Sequence, residues 1–180
     1  MIFAPPKRYT PMGVQAKVQE LLAVDHVLTD AQLARFGLDG QAFPGLRLTV
    51  RPMKDSLREE TVTFRALQTE SLERGLSRLP HYAATAEIRH MLGASNWEID
   101  HQGFELAPDA VWRDDHGQVA IEYDAGYRPG VVRRKMQAFA ECYRETVWAT
   151  PSSLRSARIQ ARYPQARVLT VDYWSPPRTE

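Results

Sequence analysis

Residues 108–130 have the sequence PDAVWRDDHGQVAIEYDAGYRPG, which contains strand-like residues on both sides of one polar turn. The first strand-like run covers 105–112 and the second covers 118–124, and Asp-Asp-His-Gly at 114–117 lies between them. Asp and Gly are residues that tight turns favour. The middle of the second run, Val-Ala-Ile, is continuously apolar, as in a strand that is covered on both faces. The pattern therefore predicts a β-hairpin whose second strand lies inside a sheet.

This hairpin brings acidic side chains together. With the turn at 114–117, Asp109 lies opposite Glu122, and Asp124 shares a face with Glu122 because side chains alternate along a strand. Like charges directly opposite each other destabilise a sheet, so we expect either a cation between them or a solvent-facing edge where they splay apart. Oxygen ligands without a His or Cys pair favour Mg²⁺ or Mn²⁺ over Zn²⁺. The first interpretation makes Asp109, Glu122 and Asp124 metal ligands; the alternative is a solvated acidic hairpin.

Charge is distributed unevenly along the chain, although the net charge of the 180 residues is only +1. Residues 95–124 carry a net charge of −7, and residues 125–168 carry +7, with eight arginines among nine bases. Arginine binds phosphate through two parallel hydrogen bonds, which lysine cannot do. An acidic centre beside a basic surface suits a metal-dependent enzyme that acts on a polyanion. The alternative is that the two blocks neutralise each other across the fold.

The basic block contains a helical stripe. Arg155, Arg158 and Arg162 are spaced i, i+3, i+7 and share one face of a predicted helix. Further bases follow the acidic strand and open the next predicted helix: Arg128, Arg133 and Arg134. Together these six arginines are the candidate DNA-binding residues, which would track phosphates without reading sequence. A solvated arginine-rich surface is the alternative.

The rest of the chain predicts a mixed architecture. Before the acidic hairpin, the patterns predict a Pro-rich arm, helices and one hairpin: arm 1–11, helices 13–24 and 30–36, strands 46–50 and 62–66, helices 69–79 and 83–92. After it, helices alternate with strands: helix 131–143, strand 146–149, helix 151–162, strand 167–173. The predicted fold class is α/β (α+β overall), with a mixed sheet covered by helices.

Composition places the chain among ordinary globular proteins, with 43% apolar residues and one cysteine. A disulfide scaffold is excluded. No apolar run approaches the length of a membrane-spanning helix, which is about 20 residues, and no signal-peptide pattern opens the chain. We therefore expect a cytoplasmic protein without membrane contact. Nothing in the sequence determines its oligomeric state.

Two short motifs carry a family resemblance. Pro108-Asp109, followed by Glu122-Tyr123-Asp124, resembles the PD-(D/E)xK nuclease-like superfamily. The resemblance narrows to replication-relaxation proteins when further segments are included: LPHYAATAEIRHML (79–92), Trp97, PDAVW (108–112), IEYDAGYRPG (121–130) and Lys135.

The resemblance implies two domains, a winged-helix-like region at 1–78 and a restriction-endonuclease-like domain, of the PD-(D/E)xK nuclease-like type, at 79–180. It implies a DNA-binding protein of DNA replication, plasmid relaxation or DNA repair, with metal-dependent phosphodiester cleavage and protein partners in a replication or repair complex.

The chain departs from this pattern in two places. Asp124 stands where the nuclease motif has lysine, and Lys135 from the following helix is the candidate replacement. The catalytic set is then Asp109, Glu122, Asp124 and Lys135. If no lysine is supplied, a catalytically inactive DNA- or protein-binding module of the same fold is expected, and a protein–protein adaptor is a third hypothesis.

The second departure concerns the winged helix. Glycine and proline at 37–45 leave little room for a recognition helix. The hairpin 46–66 would then be the wing, with five bases on it: Arg47, Arg51, Lys54, Arg58 and Arg65.

Overall fold

A computed structural model of the chain describes residues 10–73, 75–99 and 106–177. The Pro-rich arm predicted over 1–11 lies outside the described residues, apart from Thr10 and Pro11, and so does Glu105, the first residue of the predicted acidic hairpin. No helix in the described ranges is long and apolar enough to cross a membrane.

The N-terminal elements follow the order helix, strand, helix, strand, strand. Their bounds are α1 Pro11–Asp25, β1 Leu28–Thr29, α2 Asp30–Arg35, β2 Gly45–Val50 and β3 Glu60–Arg65. The three strands form an antiparallel sheet in the order β1-β3-β2. Thr29 caps α2, because its hydroxyl accepts from the N–H of Gln32 while the Gln32 side chain accepts from the N–H of Thr29. Residues 36–44 form no helix.

The second half contains a mixed sheet. Its helices are α3 Thr69–Glu73, a 3-10 turn Leu76–Arg78, α4 Leu79–Leu92, α5 Pro129–Cys142 and α6 Ser153–Arg162. Its strands are β4 Trp97–Ile99, β5 Ala110–Asp114, β6 Gly117–Tyr123, β7 Glu145–Thr150 and β8 Arg167–Thr170, arranged in that order. The β4-β5-β6 pairings are antiparallel, and the β6-β7 and β7-β8 pairings are parallel because α5 and α6 cross over between them.

Three features of this structure differ from the sequence predictions. The short strands β1 and β4 are absent from the predicted elements, since two or three residues carry no detectable alternation. Pro80 does not break a helix; it lies in the first turn of α4, where a missing N–H costs nothing. The final strand ends at Thr170 instead of continuing to 173.

Alternate residues of β6 face different helices. Val119, Ile121 and Tyr123 pack into a cluster with α4 and the N-terminal sheet. Ala120 packs on the other face with α5, α6 and Trp148 of β7. This alternation directs Glu122 and Asp124 towards the α5 and α6 layer.

The predicted boundary at 78/79 does not separate two cores. The α4-side cluster includes Val62 and Phe64 from β3 together with Ile121 and Val147 from the second sheet, all at most 4% exposed. A hydrogen bond of 2.5 Å from the Thr29 hydroxyl to the Tyr173 carbonyl also crosses the boundary. The two halves therefore share apolar packing.

A buried ion pair fixes α1 against α4. Asp25 is fully buried, and Arg89 donates to both of its oxygens at 2.6 and 2.7 Å. Burial alone would raise the pKa of Asp25, but hydrogen bonds from His90 and Arg89 outweigh it and hold the pKa below the ordinary value. The carboxylate is therefore charged in the folded protein.

We predict that Asp25→Asn lowers the free energy of unfolding by about 3 kcal/mol, because it leaves the Arg89 guanidinium without its partner. Urea denaturation measures this change. Glu20→Gln, which breaks an exposed ion pair with Lys17 in the same helix, is the control and should cost less than about 1 kcal/mol. Equal effects of the two substitutions would contradict the structural role of Asp25.

Candidate active site on the central hairpin

The predicted hairpin register is confirmed. Ala110 pairs with Ile121, Val111 with Ala120, and Asp114 with Gly117, so the turn lies at 114–117. Continuing this register by one residue brings Asp109, directly before β5, to the level of Glu122. The sequence signal is decisive here because an apolar run and a strong turn leave only one register that buries the run.

Glu122 forms a buried pair with Lys135. Glu122 is 0% exposed and Lys135 is 6% exposed. Nζ of Lys135 lies 2.9 Å from both carboxylate oxygens, donates to Oε2, and also donates to the Ala107 carbonyl at 2.8 Å. Within the described residues, Oε1 of Glu122 is buried and accepts no hydrogen bond. The lysine from α5 thus joins the segment before β5 to the acid on β6.

Burial raises the pKa of the Glu122 carboxyl well above its ordinary value, and the negative charge of Asp109 raises it further. Lys135 opposes both effects, and so does the Tyr127 hydroxyl, which hydrogen-bonds to Glu122. The cluster therefore combines two acids and one base in a place where water screens their charges poorly.

Asp109 is more accessible than Glu122, with 21% of its side chain exposed. Its Oδ2 accepts from the N–H of Tyr123 at 2.8 Å, and its Oδ1 lies 3.2 Å from Nδ1 of His81. His81 in turn packs edge-on against the Tyr123 ring. The carboxylate is thereby held beside the end of β6.

Asp124 does not complete a three-carboxylate metal site with Asp109 and Glu122 among the described residues. Its catalytic role stays a prediction. Its Oδ1 accepts from the N–H groups of Gly126 and Tyr127 at 2.8 and 2.6 Å. Its Oδ2 accepts from Trp148 at 3.1 Å and from two nitrogens of Arg155 at 3.0 and 2.7 Å. Both oxygens are already saturated by donors, so Asp124 organises the loop between β6 and α5.

Two carboxylates, and not three, therefore fit a divalent cation. In the part of the chain that the structure describes, no three His, Cys, Asp or Glu side chains lie close enough together to hold a metal. Asp109 is partly exposed, and Glu122 offers the buried Oε1 without a hydrogen-bond partner. Mg²⁺ is commonly held by one or two carboxylates while water and substrate phosphate complete its shell. The pair fits that donor set.

Five of the six predicted DNA-binding arginines are exposed, and one is not. Arg155 is the exception, because its guanidinium turns inward to Asp124 and to the Tyr127 carbonyl at 2.6 Å. The other five are exposed: Arg128, Arg133, Arg134, Arg158 and Arg162. Arg155, in the first turn of α6, therefore binds the loop after β6. The exposed arginines of α6 are Arg158 and Arg162.

Most bases of the β2-β3 hairpin are neutralised by neighbouring acids. Arg51 pairs with Glu59 at 2.7 Å, and Arg58 pairs with Glu60. Arg65 pairs with Asp30 at 2.7 Å. Arg47 and Lys54 have no ion pair to a described residue, so less positive charge is available on this hairpin than its composition suggests.

His81, Tyr127 and Trp148 contact the acids, and no metal-ligand spacing or motif in the sequence marks them. His81 lies in the 79–92 segment and Tyr127 in the 121–130 segment, and both segments carry the family resemblance, so those segments are the available signal. Trp148 lies in a strand whose sequence is typical of any buried strand. No nearby residue in the sequence predicts its hydrogen bond to Asp124.

Comparison with protein-family models, with curated proteins and with solved structures finds no match for this chain.

The pKa of Glu122 predicts a pH dependence. A carboxyl with a raised pKa binds more protons in the folded than in the unfolded state, so its contribution to stability falls as pH rises above the ordinary value of 4.5. The free energy of unfolding of the wild type, minus that of Glu122→Gln, should therefore decrease steadily towards alkaline pH. Urea denaturation in EDTA across this range measures it. A difference that rises with pH would show that Lys135 keeps the carboxyl ionised.

Proposed function

We propose that the chain is a DNA-binding protein with a nuclease-like centre that cleaves phosphodiester bonds with Mg²⁺ or Mn²⁺. The observation that carries the proposal is the position of Lys135. Its ammonium contacts the Glu122 carboxylate and the Ala107 carbonyl, two residues before Asp109. A lysine beside two acids on adjacent strands is the arrangement that the PD-(D/E)xK resemblance requires, although here it comes from α5.

The order of elements supports the same proposal. Helix α4, the antiparallel strands β4-β5-β6, the crossover helix α5 and the parallel strand β7 follow one another in a mixed sheet, as expected for a restriction-endonuclease-like domain. The N-terminal order of α1, β1, α2, β2 and β3, with the sheet order β1-β3-β2, is compatible with the proposed winged-helix-like region. It lacks a helix at 36–44, so sequence reading by a recognition helix is not part of the proposal.

Each group at the centre has a role in this chemistry. A divalent cation held by Asp109 and Glu122 would activate water and stabilise negative charge on the phosphate. Lys135 keeps a positive charge at the same place and restrains the Glu122 side chain. His81 and the N–H of Tyr123 orient the Asp109 carboxylate. We propose that this cleavage serves DNA replication, plasmid relaxation or DNA repair. In these processes the chain would act with protein partners.

A second candidate is a catalytically inactive DNA- or protein-binding module. The contact between Lys135 and Glu122 favours it, because a base that already neutralises the acid reduces the need for a cation. This candidate retains the exposed arginines but predicts no metal dependence. Cleavage and cation binding by the same variants separate the two candidates.

We predict that the wild type nicks supercoiled plasmid DNA in Mg²⁺ or Mn²⁺, and that Asp109→Asn and Lys135→Met each reduce the rate roughly 100-fold or more, as expected when one electrostatic group at the reacting centre is removed. Calorimetric titration with Mn²⁺ alone should show binding to the wild type but not to Asp109→Asn.

Asp115→Asn, an exposed carboxylate in the turn of the same hairpin, is the matched control and should retain both properties. Wild-type protein that binds no Mn²⁺ and leaves the plasmid intact would overturn the nuclease proposal and leave the inactive module.

We also predict different outcomes for the arginines of α6. Arg155→Gln should cost about 3 kcal/mol of stability, because Asp124 stays buried without its main donor. Arg158→Gln with Arg162→Gln should keep stability but reduce the salt dependence of DNA binding, by about 1 in the log–log slope for each phosphate that is no longer bound.

Chemical denaturation and fluorescence anisotropy in EDTA measure the two effects, with Lys17→Gln on α1 as the charge-matched control. An unchanged salt slope in the double variant would remove α6 from the DNA-binding surface.

A further inference from the structure

The loop at 51–59, which joins β2 to β3 and is called the wing loop here, lies against the end of β6. The Lys54 N–H donates to the Ala125 carbonyl at 2.8 Å, and the Tyr123 hydroxyl donates to the carbonyl of buried Pro52 at 3.2 Å. A wing that inserts into a DNA groove would point away from its own protein. This wing loop instead becomes one wall of the region beside the candidate active site.

Gly126 permits this close approach. Its φ of +117° is a conformation that other residues rarely adopt, and an added Cβ would lie 3.3 Å from the Lys54 Cβ and 3.5 Å from the Lys54 nitrogen. The loop after β6 and the wing loop therefore pack closely at Gly126, where any side chain would crowd Lys54.

A pocket of about 510 Å³ opens between the wing loop and the start of α5. Three bases, Lys54, Arg128 and Arg155, and one acid, Asp55, line it. The uncharged lining residues are Gly126, Tyr127, Pro129 and Val131. Arg155 is held by Asp124, whereas neither Lys54 nor Arg128 forms an ion pair with any described residue. The N-terminus of α5 contributes little to anion binding, because Pro129 has no N–H and the N–H groups of Val131 and Val132 donate to the Arg128 carbonyl.

Tyr127 forms the wall between this pocket and the buried acids. Nζ of Lys54 lies 5.6 Å from the centre of its ring, and Nζ of Lys135 lies 5.7 Å from the same centre. The Tyr127 hydroxyl reaches Glu122. A ligand in the pocket would therefore lie next to the candidate active site without touching its two acids.

We propose that this pocket binds a phosphate ester of a DNA strand, next to the phosphate at the active site, through Lys54 and Arg128. The inference rests on the proposed function for its ligand class. The two bases, which form no ion pair with any described residue, supply the positive charge that recognises a phosphate. The wing loop thus contributes a backbone contact to the nuclease-like half, and the two halves bind one strand together.

The test measures binding without cleavage. Full-length protein in EDTA is titrated into a dye-labelled single-stranded oligonucleotide at several salt concentrations, and anisotropy gives the affinity. Lys54→Gln with Arg128→Gln should weaken binding and reduce the log–log salt slope by about 0.7, the value expected for one lost phosphate contact on a single strand. Lys17→Gln removes a base of α1 that pairs with Glu20; it is the control and should leave the slope unchanged.

Thymidine monophosphate serves as competitor. If thymidine monophosphate displaces the oligonucleotide from the wild type but not from the double variant, the pocket is supported and a single phosphate ester suffices. If thymidine monophosphate displaces nothing while the double variant binds the oligonucleotide more weakly, the pocket is supported and a strand is required. A double variant with wild-type affinity and salt slope overturns the inference, whether or not the wild type cleaves plasmid DNA. Absence of cleavage with retained, Lys54-dependent binding would instead contradict only the proposed function.

Discussion

The contact between Glu122 and Lys135 is the constraint on which the candidate site depends. It places an acid of the central strand against a base of the crossover helix, with both side chains almost fully buried. Burying charged groups costs several kcal/mol for each ion unless they are paired and hydrogen-bonded, and here one carboxylate oxygen remains without a hydrogen bond to any described residue. That oxygen still lies 2.9 Å from Nζ of Lys135, so the ion pair compensates part of the burial cost. Burial and the nearby negative charge of Asp109 raise the pKa of Glu122, and such a perturbed acid in a charged cluster marks a candidate functional site.

Two acids of the same strand face have opposite environments. Glu122 is surrounded by few donors, while Asp124 accepts five hydrogen bonds and ties together α6, β7 and the loop that leads to α5. The saturated acid makes the site rigid, since it fixes both Tyr127 and Arg155. The undersaturated acid is then available for chemistry. Rigid support around a small reactive group is what precise positioning of a substrate requires.

Much of this arrangement is predictable from the sequence, for identifiable reasons. The hairpin register follows from one strong turn and one apolar run, and the contribution of Lys135 follows from its place on the next helix. The inward turn of Arg155 is not predictable, because a helical stripe of arginines has the same spacing whether or not its first member meets a buried acid. The position of the wing loop is also not predictable from the sequence. Its contacts are hydrogen bonds to the Ala125 carbonyl and from the Tyr123 hydroxyl, which are far away in sequence and involve backbone atoms.

Anomalous diffraction from crystals of the protein soaked in Mn²⁺ tests the two-carboxylate site most directly. We expect one strong manganese peak in contact with a carboxylate oxygen of Asp109 and with a carboxylate oxygen of Glu122, and none at Asp124. The absence of a peak at this pair, or a peak on Asp124, would contradict the assignment of Asp109 and Glu122 as the metal ligands.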